Sequence, residues 1–185
     1  MKENKIPIEI ETLQEHFRNL SQTSNANTEF VETQFENIPS NNKCLNRAIN
    51  IDEVFKQIKR LKNGKAHGED MIINEFFKSS TKSLLSIIVK LFNIVLESGI
   101  VPTDWTIGLI CPLYKKKGNP SDPNNYRGIT LLSCLGKLFT AVLNERLTSY
   151  LEDNNMIGDE QAGFRSGHST LDHIFVLHTL IDLYL

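Results

Sequence analysis

Two short apolar runs flank a segment dense in turn-forming residues, and this pattern constrains the fold more than any other feature. The runs are Ile107–Tyr114 and Ile129–Leu132, and Lys116–Asn124 between them contains glycine, proline, asparagine and aspartate. Such residues favour tight turns over continued helix or strand. The pattern therefore predicts an antiparallel β-hairpin with a basic, solvent-exposed tip.

Helical periodicity surrounds the predicted hairpin. Four segments repeat apolar residues at the spacing of one helix face. We expect the first to be capped by Asp52 and to end at Asn63-Gly64, and the second to run from about Ser83 until Gly99 and Pro102 stop it. The third spans about Leu135–Leu151, and Ser169 or Thr170 caps the fourth. The predicted inward residues are Val54, Ile58, Leu61, Leu84, Ile87, Ile88, Leu91, Phe92, Val95, Leu138, Phe139, Val142, Leu143, Leu147, Tyr150, Ile174, Phe175, Leu177, Ile181 and Tyr184.

Residues 1–47 are predicted to be a flexible lead-in to a folded part that spans residues 48–185. The lead-in contains a short amphipathic piece, Leu13–Leu20, followed by the polar stretches Ser21–Thr28 and Pro39–Asn42. These stretches bury too little apolar surface to offset the entropy lost on ordering.

The net charge of −2 conceals an uneven distribution along the chain. Residues 56–137 carry thirteen basic and six acidic side chains, whereas acidic residues are in excess on either side. A basic middle segment suits a polyanion-binding surface, because cations near phosphate release condensed counterions. The alternative is that these lysines only make helix faces soluble.

The cysteines and the apolar stretches bear on the cellular compartment. Cys44, Cys111 and Cys134 show no CxxC spacing. We therefore expect buried, reduced thiols and an intracellular protein, without distinguishing nucleus from cytoplasm. The longest apolar stretch, Leu84–Leu96, is interrupted by Lys90 and Asn93 and is too short to span a bilayer, so no membrane partner is expected.

Three motifs follow one another in the second half of the chain. They are Cys111–Gly118 (CPLYKKKG), Asn125–Leu132 (NYRGITLL) and Gln161–Thr170 (QAGFRSGHST). In this order and spacing they resemble the fingers half of a reverse transcriptase from a non-LTR (LINE- or jockey-like) retrotransposon. The resemblance covers residues 48–185. It implies a helix-rich α+β fold, namely the fingers and the start of the palm of a right-hand polymerase, and ancestry as an RNA-directed DNA polymerase, a nucleotidyltransferase.

The hairpin supplies the candidate nucleotide-binding residues. Lys115 ends the first predicted strand and Arg127 begins the second, so their side chains can converge on one anion. The resemblance places Lys115 (or Lys116) and Arg127 where the family contacts the incoming dNTP. Without the resemblance, a solvated basic turn is the preferred interpretation.

The loop Gln161–Thr170 supplies one set of candidate template-binding residues. The resemblance implies that this loop positions template RNA through Gln161, Gly163, Phe164 and Arg165. Gly163 allows close approach of the backbone and Arg165 can meet phosphate. Phe164 can stack on a base or plug the core, and we expect the core role.

A second template-binding segment is implied upstream. Leu61–Asp70 (LKNGKAHGED), followed by Asn74–Lys78 (NEFFK), resembles the family's N-terminal extension. Lys62 and Lys65 keep its basic character. The chain departs from the usual pattern at three positions, His67, Glu69 and Met71, which puts further template contacts there in doubt.

No catalytic residue and no metal ligand is predicted. The metal-binding aspartate motifs of the family do not occur in residues 1–185. We therefore expect a truncated chain without polymerase activity of its own, and Mg²⁺ only in an intact polymerase. Histidines five residues apart, at 168, 173 and 178, do not share a helix face. Ser169, Asp172 and His173 lack a nucleophile elbow, so a catalytic triad is not predicted.

Two alternatives remain open from the sequence. One is an RNA-binding module without catalysis, with RNA and dNTP as its partners. The other is a non-functional transposon relic, whose unpaired apolar faces, such as that of Ile174, Leu177 and Ile181, cause self-association.

Overall fold

The computed structural model describes residues 7–22, 45–158, 160–165 and 167–184. The chain divides into two compact units, Met1–Val142 and Leu143–Leu185. Seven α-helices, one 3₁₀ turn (Pro123–Asn125) and one two-stranded antiparallel sheet make up the described part, which confirms the helix-rich α+β class. In chain order the elements are α1 (Ile10–Ser21), α2 (Ile51–Arg60), α3 (Asn74–Lys78), α4 (Lys82–Ser98), α5 (Thr103–Thr106), β1 (Leu109–Tyr114), β2 (Tyr126–Leu131), α6 (Cys134–Asp153) and α7 (Thr170–Tyr184).

The predicted hairpin is confirmed. β1 pairs with β2 from Leu109 opposite Leu131 to Tyr114 opposite Tyr126. The two tyrosines at its end stabilise the loop between the strands, since Tyr114 Oη donates to Gly118 O at 2.6 Å and Tyr126 Oη to Pro120 O at 2.8 Å. β2 begins earlier than the predicted Ile129, because its ladder pairs every residue of β1.

The core of the first unit combines aliphatic and aromatic side chains from α2, α4 and α6. Val54, Phe92 and Leu138 are fully buried. The ring of Phe139 lies 5.1 Å from that of Phe92 and 5.5 Å from that of Trp105, centroid to centroid. Aromatic pairs at such distances add to the hydrophobic stabilisation of a core.

The helix faces agree with the predicted periodicity only in part. On α4 the buried residues are Leu85, Ile88, Phe92 and Val95, whereas the predicted Ile87 is 61% exposed. The buried face is therefore centred on Ile88 and Phe92 and turns Ile87 away from the core. Leu147 on α6 is likewise exposed, and Leu61, Leu84, Leu91, Leu143 and Tyr150 are half-buried.

The prediction for α7 is correct about the helix and wrong about its inward face. Ser169 caps it, its Oγ accepting from Leu171 N–H at 3.2 Å. Every residue of α7 is exposed in the described structure, including the five predicted to face inward, Ile174, Phe175, Leu177, Ile181 and Tyr184. Apolar residues occur all around this helix, so no single face of it is distinguished for burial.

The N-cap of α2 is Asn50 and not the predicted Asp52. Asn50 Oδ1 accepts from Glu53 N–H at 3.0 Å, and the Glu53 carboxylate accepts from Asn50 N–H at 3.0 Å. This reciprocal pair is a capping box. Asp52 lies in the first turn. The helix ends at Arg60, before the predicted Asn63-Gly64, whereas Gly99 ends α4 as predicted, with φ of 68°.

Helix α1 packs against part of one face of the hairpin. It extends the predicted amphipathic piece at both ends and buries Leu13. The Phe17 ring lies so close to Gly128 that a Cβ at that position would stand 2.9 Å from Phe17 Cε1. The rest of the predicted lead-in falls largely on residues 1–6 and 23–44, outside the described ranges.

The described cysteines differ in exposure. Cys134 is buried, and this burial raises the pKa of its thiol. Cys111 is exposed, contrary to the expectation of a buried thiol. Cys44 lies outside the described residues. None of the described helices is both long and apolar enough to cross a bilayer.

Candidate functional site

The hairpin has one covered and one uncovered face. Cross-strand partners share a face and alternate along the strands. Pro112 and Gly128 lie opposite each other on the face that α1 covers, where Ile110 and Pro112 line a cleft with Leu13 and Phe17. Leu113 and Arg127 lie opposite each other on the other face, together with the pair Cys111 and Ile129. The uncovered face therefore carries Arg127 among exposed apolar side chains.

Lys115 lies on the same face as Arg127. Its N–H donates to Asn125 O at 2.8 Å, which continues the ladder one residue beyond Tyr114. Lys115 and Arg127 are thus diagonal neighbours, which in a sheet are about 7–8 Å apart. Lys115 Nζ donates to Asn124 O at 2.6 Å. Lys115 and Arg127 thus lie on the same face of the hairpin. The convergence of their side chains on one ligand stays a prediction.

Lys116 differs from its neighbour in backbone conformation. Its φ is 55°, in the left-handed region, and its side chain is exposed. This conformation costs a residue other than glycine roughly 1–2 kcal/mol. It turns the chain out of the ladder, so Lys116 belongs to the hairpin tip and Lys115 to its edge.

The loop of residues 61–65 carries the predicted template-binding Lys62 and Lys65. Both side chains are exposed. The loop backbone is held by side chains from α3, through Asn74 Nδ2 donating to Lys62 O at 2.8 Å and Gly64 N–H donating to Glu75 Oε1 at 2.6 Å. The hydrogen bond from Gly64 lowers the pKa of the Glu75 carboxyl. The motif containing these α3 residues was noted in the sequence, but their contacts were not predicted.

The same loop region contacts the end of β2. A Cβ at Gly68 would stand 2.6 Å from both Leu132 C and Ser133 N. Only glycine permits this approach of one backbone to another. The segment that follows Lys65 is therefore packed, at Gly68, against the backbone just after the strand that carries Arg127.

Arg165 is held by groups of its own unit. Its Nε and Nη2 donate to the two oxygens of Glu152 at 3.1 and 2.9 Å, and its Nη1 donates to Gly158 O at 3.1 Å. These hydrogen bonds lower the pKa of the Glu152 carboxyl. Glu152 was missed by the sequence analysis, since its partner is 13 residues away. The predicted contact of Arg165 with phosphate stays a prediction.

Phe164 is fully exposed, at 110% of its reference area, so the prediction that it plugs the core is wrong. Its φ is 63°, a conformation that bulky residues rarely adopt. Ala162 is the buried residue of this loop. Gln161 is exposed, and the space around Gly163 is open, with nothing within 4 Å of a Cβ built there.

The remaining chemistry-bearing residues do not cluster. In the ranges that the structure covers, no three His, Cys, Asp or Glu side chains are grouped so as to hold a metal ion. On α7, His178 Nδ1 lies 2.9 Å from Asp182 Oδ2, one turn away on an exposed face. Ser169 N–H donates to Asp172 Oδ2 at 2.6 Å, so both residues serve the helix N-terminus.

Comparison with known proteins gives consistent matches. The chain is 30% identical over 147 residues to a probable RNA-directed DNA polymerase from transposon X-element of Drosophila melanogaster. It is also 30% identical over 138 residues to the RNA-directed DNA polymerase from mobile element jockey of the same organism. A third match, 30% over 125 residues, is the retrovirus-related Pol polyprotein from type-1 retrotransposable element R1 of Bradysia coprophila.

The matches cover most of the chain and a small part of each relative. The aligned region is 75%, 75% and 67% of this chain for the three relatives. It is 16%, 15% and 12% of theirs, so the chain corresponds to a segment of much longer proteins. No protein-family model matches the chain.

Proposed function

Because the chain is homologous to a segment of the RNA-directed DNA polymerases of non-LTR retrotransposons, we propose that it forms their fingers and the start of the palm. In this proposal the hairpin binds the incoming dNTP, and the loops 61–65 and 161–165 bind template RNA. The proposal concerns binding by these residues.

The observation that carries the proposal is the sidedness of the hairpin. Arg127 and Lys115 lie on the face that α1 leaves uncovered. A guanidinium grips two phosphate oxygens at once, and an ammonium adds a point charge. Lys116 extends the same positive region at the hairpin tip. Together these three cations suit the triphosphate of a dNTP.

The proposed template-binding residues are supported by their exposure and, for the lysines, by their positive charge. Lys62 and Lys65 offer two exposed cations for the phosphates of an RNA strand. Phe164, fully exposed, offers a ring on which an unpaired base can stack, a contact worth about 1–3 kcal/mol per base. Gln161, Gly163 and Arg165 complete the proposed template-binding loop.

The second candidate function is an RNA-binding module without catalysis. It is supported by the excess of basic residues in 56–137, which includes the loop lysines and the hairpin. Such a module binds RNA with a strong dependence on salt concentration.

Nucleotide binding by the whole 185-residue chain tests the first proposal. We expect Arg127→Ala and Lys115→Ala each to weaken the binding of a fluorescent dNTP by about ten-fold, in the range of a lost charge-assisted hydrogen bond. Lys90→Ala, which removes an exposed cation from α4, should leave affinity unchanged. Equal effects of all three substitutions would contradict the site and leave only a general charge effect.

Thiol protection gives a second, independent measurement. Cys111 lies on the hairpin face of Arg127 and is exposed. In a Cys44→Ser background, bound dNTP should slow alkylation of Cys111, whereas RNA without dNTP should not. The reverse pattern would favour the RNA-binding module over the dNTP site.

A further inference from the structure

We propose that Asn74, Glu75 and Lys78 on α3 are positioning residues that fix the loop of residues 61–65 so that Lys62 and Lys65 face the phosphates of an RNA strand. We call these three side chains the α3 clamp. The inference rests on the proposed function, because it assumes that the two lysines meet template RNA.

The clamp contacts four consecutive residues of the loop. Asn74 Nδ2 donates to Lys62 O at 2.8 Å, and Lys78 Nζ donates to Leu61 O at 3.2 Å. Lys78 Nζ also donates to Asn63 Oδ1 at 2.7 Å, and Gly64 N–H donates to Glu75 Oε1 at 2.6 Å. Three side chains of one five-residue helix therefore hold the loop from Leu61 to Gly64.

The loop needs such partners because α2 has ended. The last carbonyls of a helix lack partners within the helix, and the clamp supplies them to Leu61 and Lys62 in the residues that follow. Gly64 has φ of 67°, so the chain turns sharply at the point where Glu75 accepts its N–H. The turn and the clamp together define one loop conformation.

The helix that carries the clamp is anchored by buried residues. Phe77 of α3 is 2% exposed, and Asn74 is 7% exposed, so the helix is anchored in the core beside the residues that hold the loop. Gly68, three residues after Lys65, is packed against the end of β2. Both ends of the segment are thus fixed.

The clamp leaves the two lysines available. Asn74, Glu75 and Lys78 bind backbone groups and the Asn63 amide, whereas the side chains of Lys62 and Lys65 are exposed. The two lysine ammonium groups lose less conformational entropy on binding phosphate when the backbone that carries them is already fixed. Fixed spacing also lets both contact one strand at the same time.

The direction in which RNA affinity changes when Glu75 is substituted distinguishes a positioning role from a general charge effect. Glu75→Leu removes a negative charge, which by general electrostatics should strengthen binding to RNA. The clamp predicts weaker binding, because Gly64 N–H loses its acceptor and the lysines lose their placement. Glu75→Gln keeps an acceptor oxygen and removes the charge, so it should bind RNA as tightly as the unsubstituted chain or more tightly.

The experiment is fluorescence anisotropy with a short labelled single-stranded RNA across a salt series. Glu75→Leu should lose about five-fold in affinity per displaced lysine at about 0.1 M salt, with a shallower salt dependence, because each phosphate contact contributes about 0.7 to the slope. Glu97→Leu, which removes another exposed acidic side chain on α4, is the charge-matched control and should not weaken binding. Asn74→Leu, which leaves the net charge unchanged and removes the hydrogen bond to Lys62 O, is a second clamp variant, for use if Glu75→Leu does not fold; it too should weaken RNA binding.

Whether the effect of Glu75→Leu depends on Lys62 and Lys65 decides if Glu75 acts by positioning them. In a Lys62→Ala/Lys65→Ala background, Glu75→Leu should have no further effect on RNA affinity. An equal effect in both backgrounds, or unchanged affinity in a folded Glu75→Leu whose Gly64 amide exchanges faster, would overturn the positioning role. If the double lysine substitution itself leaves affinity unchanged, the template site under "Proposed function" is wrong, which is a separate result.

Discussion

At the scale of single residues, the bidentate pair of Arg165 and Glu152 is the contact that organises the loop after α6. Both guanidinium nitrogens in the pair are within 3.1 Å of the carboxylate. Arg165 also fixes Gly158 O, so one side chain ties two points of the loop to the helix. Phe164, next to Arg165, is exposed and in a left-handed conformation.

This pair predicts a loss of loop order in acid. The pKa of Glu152 is lowered chiefly by the hydrogen bonds from Arg165, and attraction to Arg165 and His168 adds to this. The attachment is therefore complete above the ordinary carboxyl pKa of about 4.3 and is lost as the pH falls through the lowered value. We expect limited proteolysis within residues 154–165 to accelerate below about pH 4.

Two substitutions check the origin of that acid effect. Glu152→Gln should make the loop protease-sensitive at neutral pH and remove the pH dependence. Asp153→Asn, an exposed neighbour on the same helix, should behave like the unsubstituted chain. An acid effect that persists in Glu152→Gln would assign it to another carboxyl group.

At the scale of elements, the close approach of Gly68 to the end of β2 sets a strict size limit. Its neighbours are backbone atoms of Leu132 and Ser133, which cannot move by a change of rotamer. We expect Gly68→Ala to destabilise the chain by about 1–3 kcal/mol, the usual cost of overpacking. Chemical denaturation of the substituted and unsubstituted chains measures this difference in the free energy of unfolding.

The matched control is another glycine. Nothing lies within 4 Å of a Cβ built at Gly163, and its φ is not positive. Gly163→Ala should therefore change the free energy of unfolding by less than about 0.5 kcal/mol. If both substitutions lowered the free energy of unfolding by similar amounts, the backbone at Gly68 would be able to relax around the added methyl group, which contradicts the prediction.

Elements with a strong local signal were predictable from the sequence, and those without one were not. The hairpin follows from its turn residues, and α4 and α6 follow from long apolar periodicity. Helices α3 and α5 span five and four residues, which is too short for an apolar periodicity to be recognised in the sequence. Asn50 was passed over because Asp52 has the same capping chemistry two residues later.

Contacts between distant residues account for the remaining differences. The docking of Phe17 on Gly128, the clamp contacts and the pairing of Glu152 with Arg165 each join residues whose separation no local pattern encodes. The placement of Lys115 near the end of one strand and of Arg127 near the start of the next was predictable because a hairpin fixes its own register once the turn is located. Phe164 could not be placed, since both a core and an exposed role suit an aromatic residue in a glycine-rich loop.

At the scale of the whole molecule, exposed apolar surface on α7 is the dominant feature. Nine apolar side chains of this helix are between 47% and 83% exposed: Leu171, Ile174, Phe175, Val176, Leu177, Leu180, Ile181, Leu183 and Tyr184. Contiguous apolar surface of this kind marks an association site.

We therefore expect the 185-residue chain to self-associate. Light scattering after size exclusion should show mass above that of a 21.1 kDa monomer, rising with concentration. Leu177→Glu and Ile181→Glu should shift the chain towards the monomer, because a buried carboxylate opposes association. Thr179→Glu is the control for added charge, and a monomer at all concentrations before substitution would contradict the prediction.

The contact at Gly68 also has a mechanical consequence. Where two backbones pack against each other with no side chain between them, neither can make room by a change of rotamer. A shift of the residues that follow β2 would therefore move Gly68, which stands three residues after Lys65. The end of the hairpin and the segment that follows the basic loop are thus mechanically joined at Gly68.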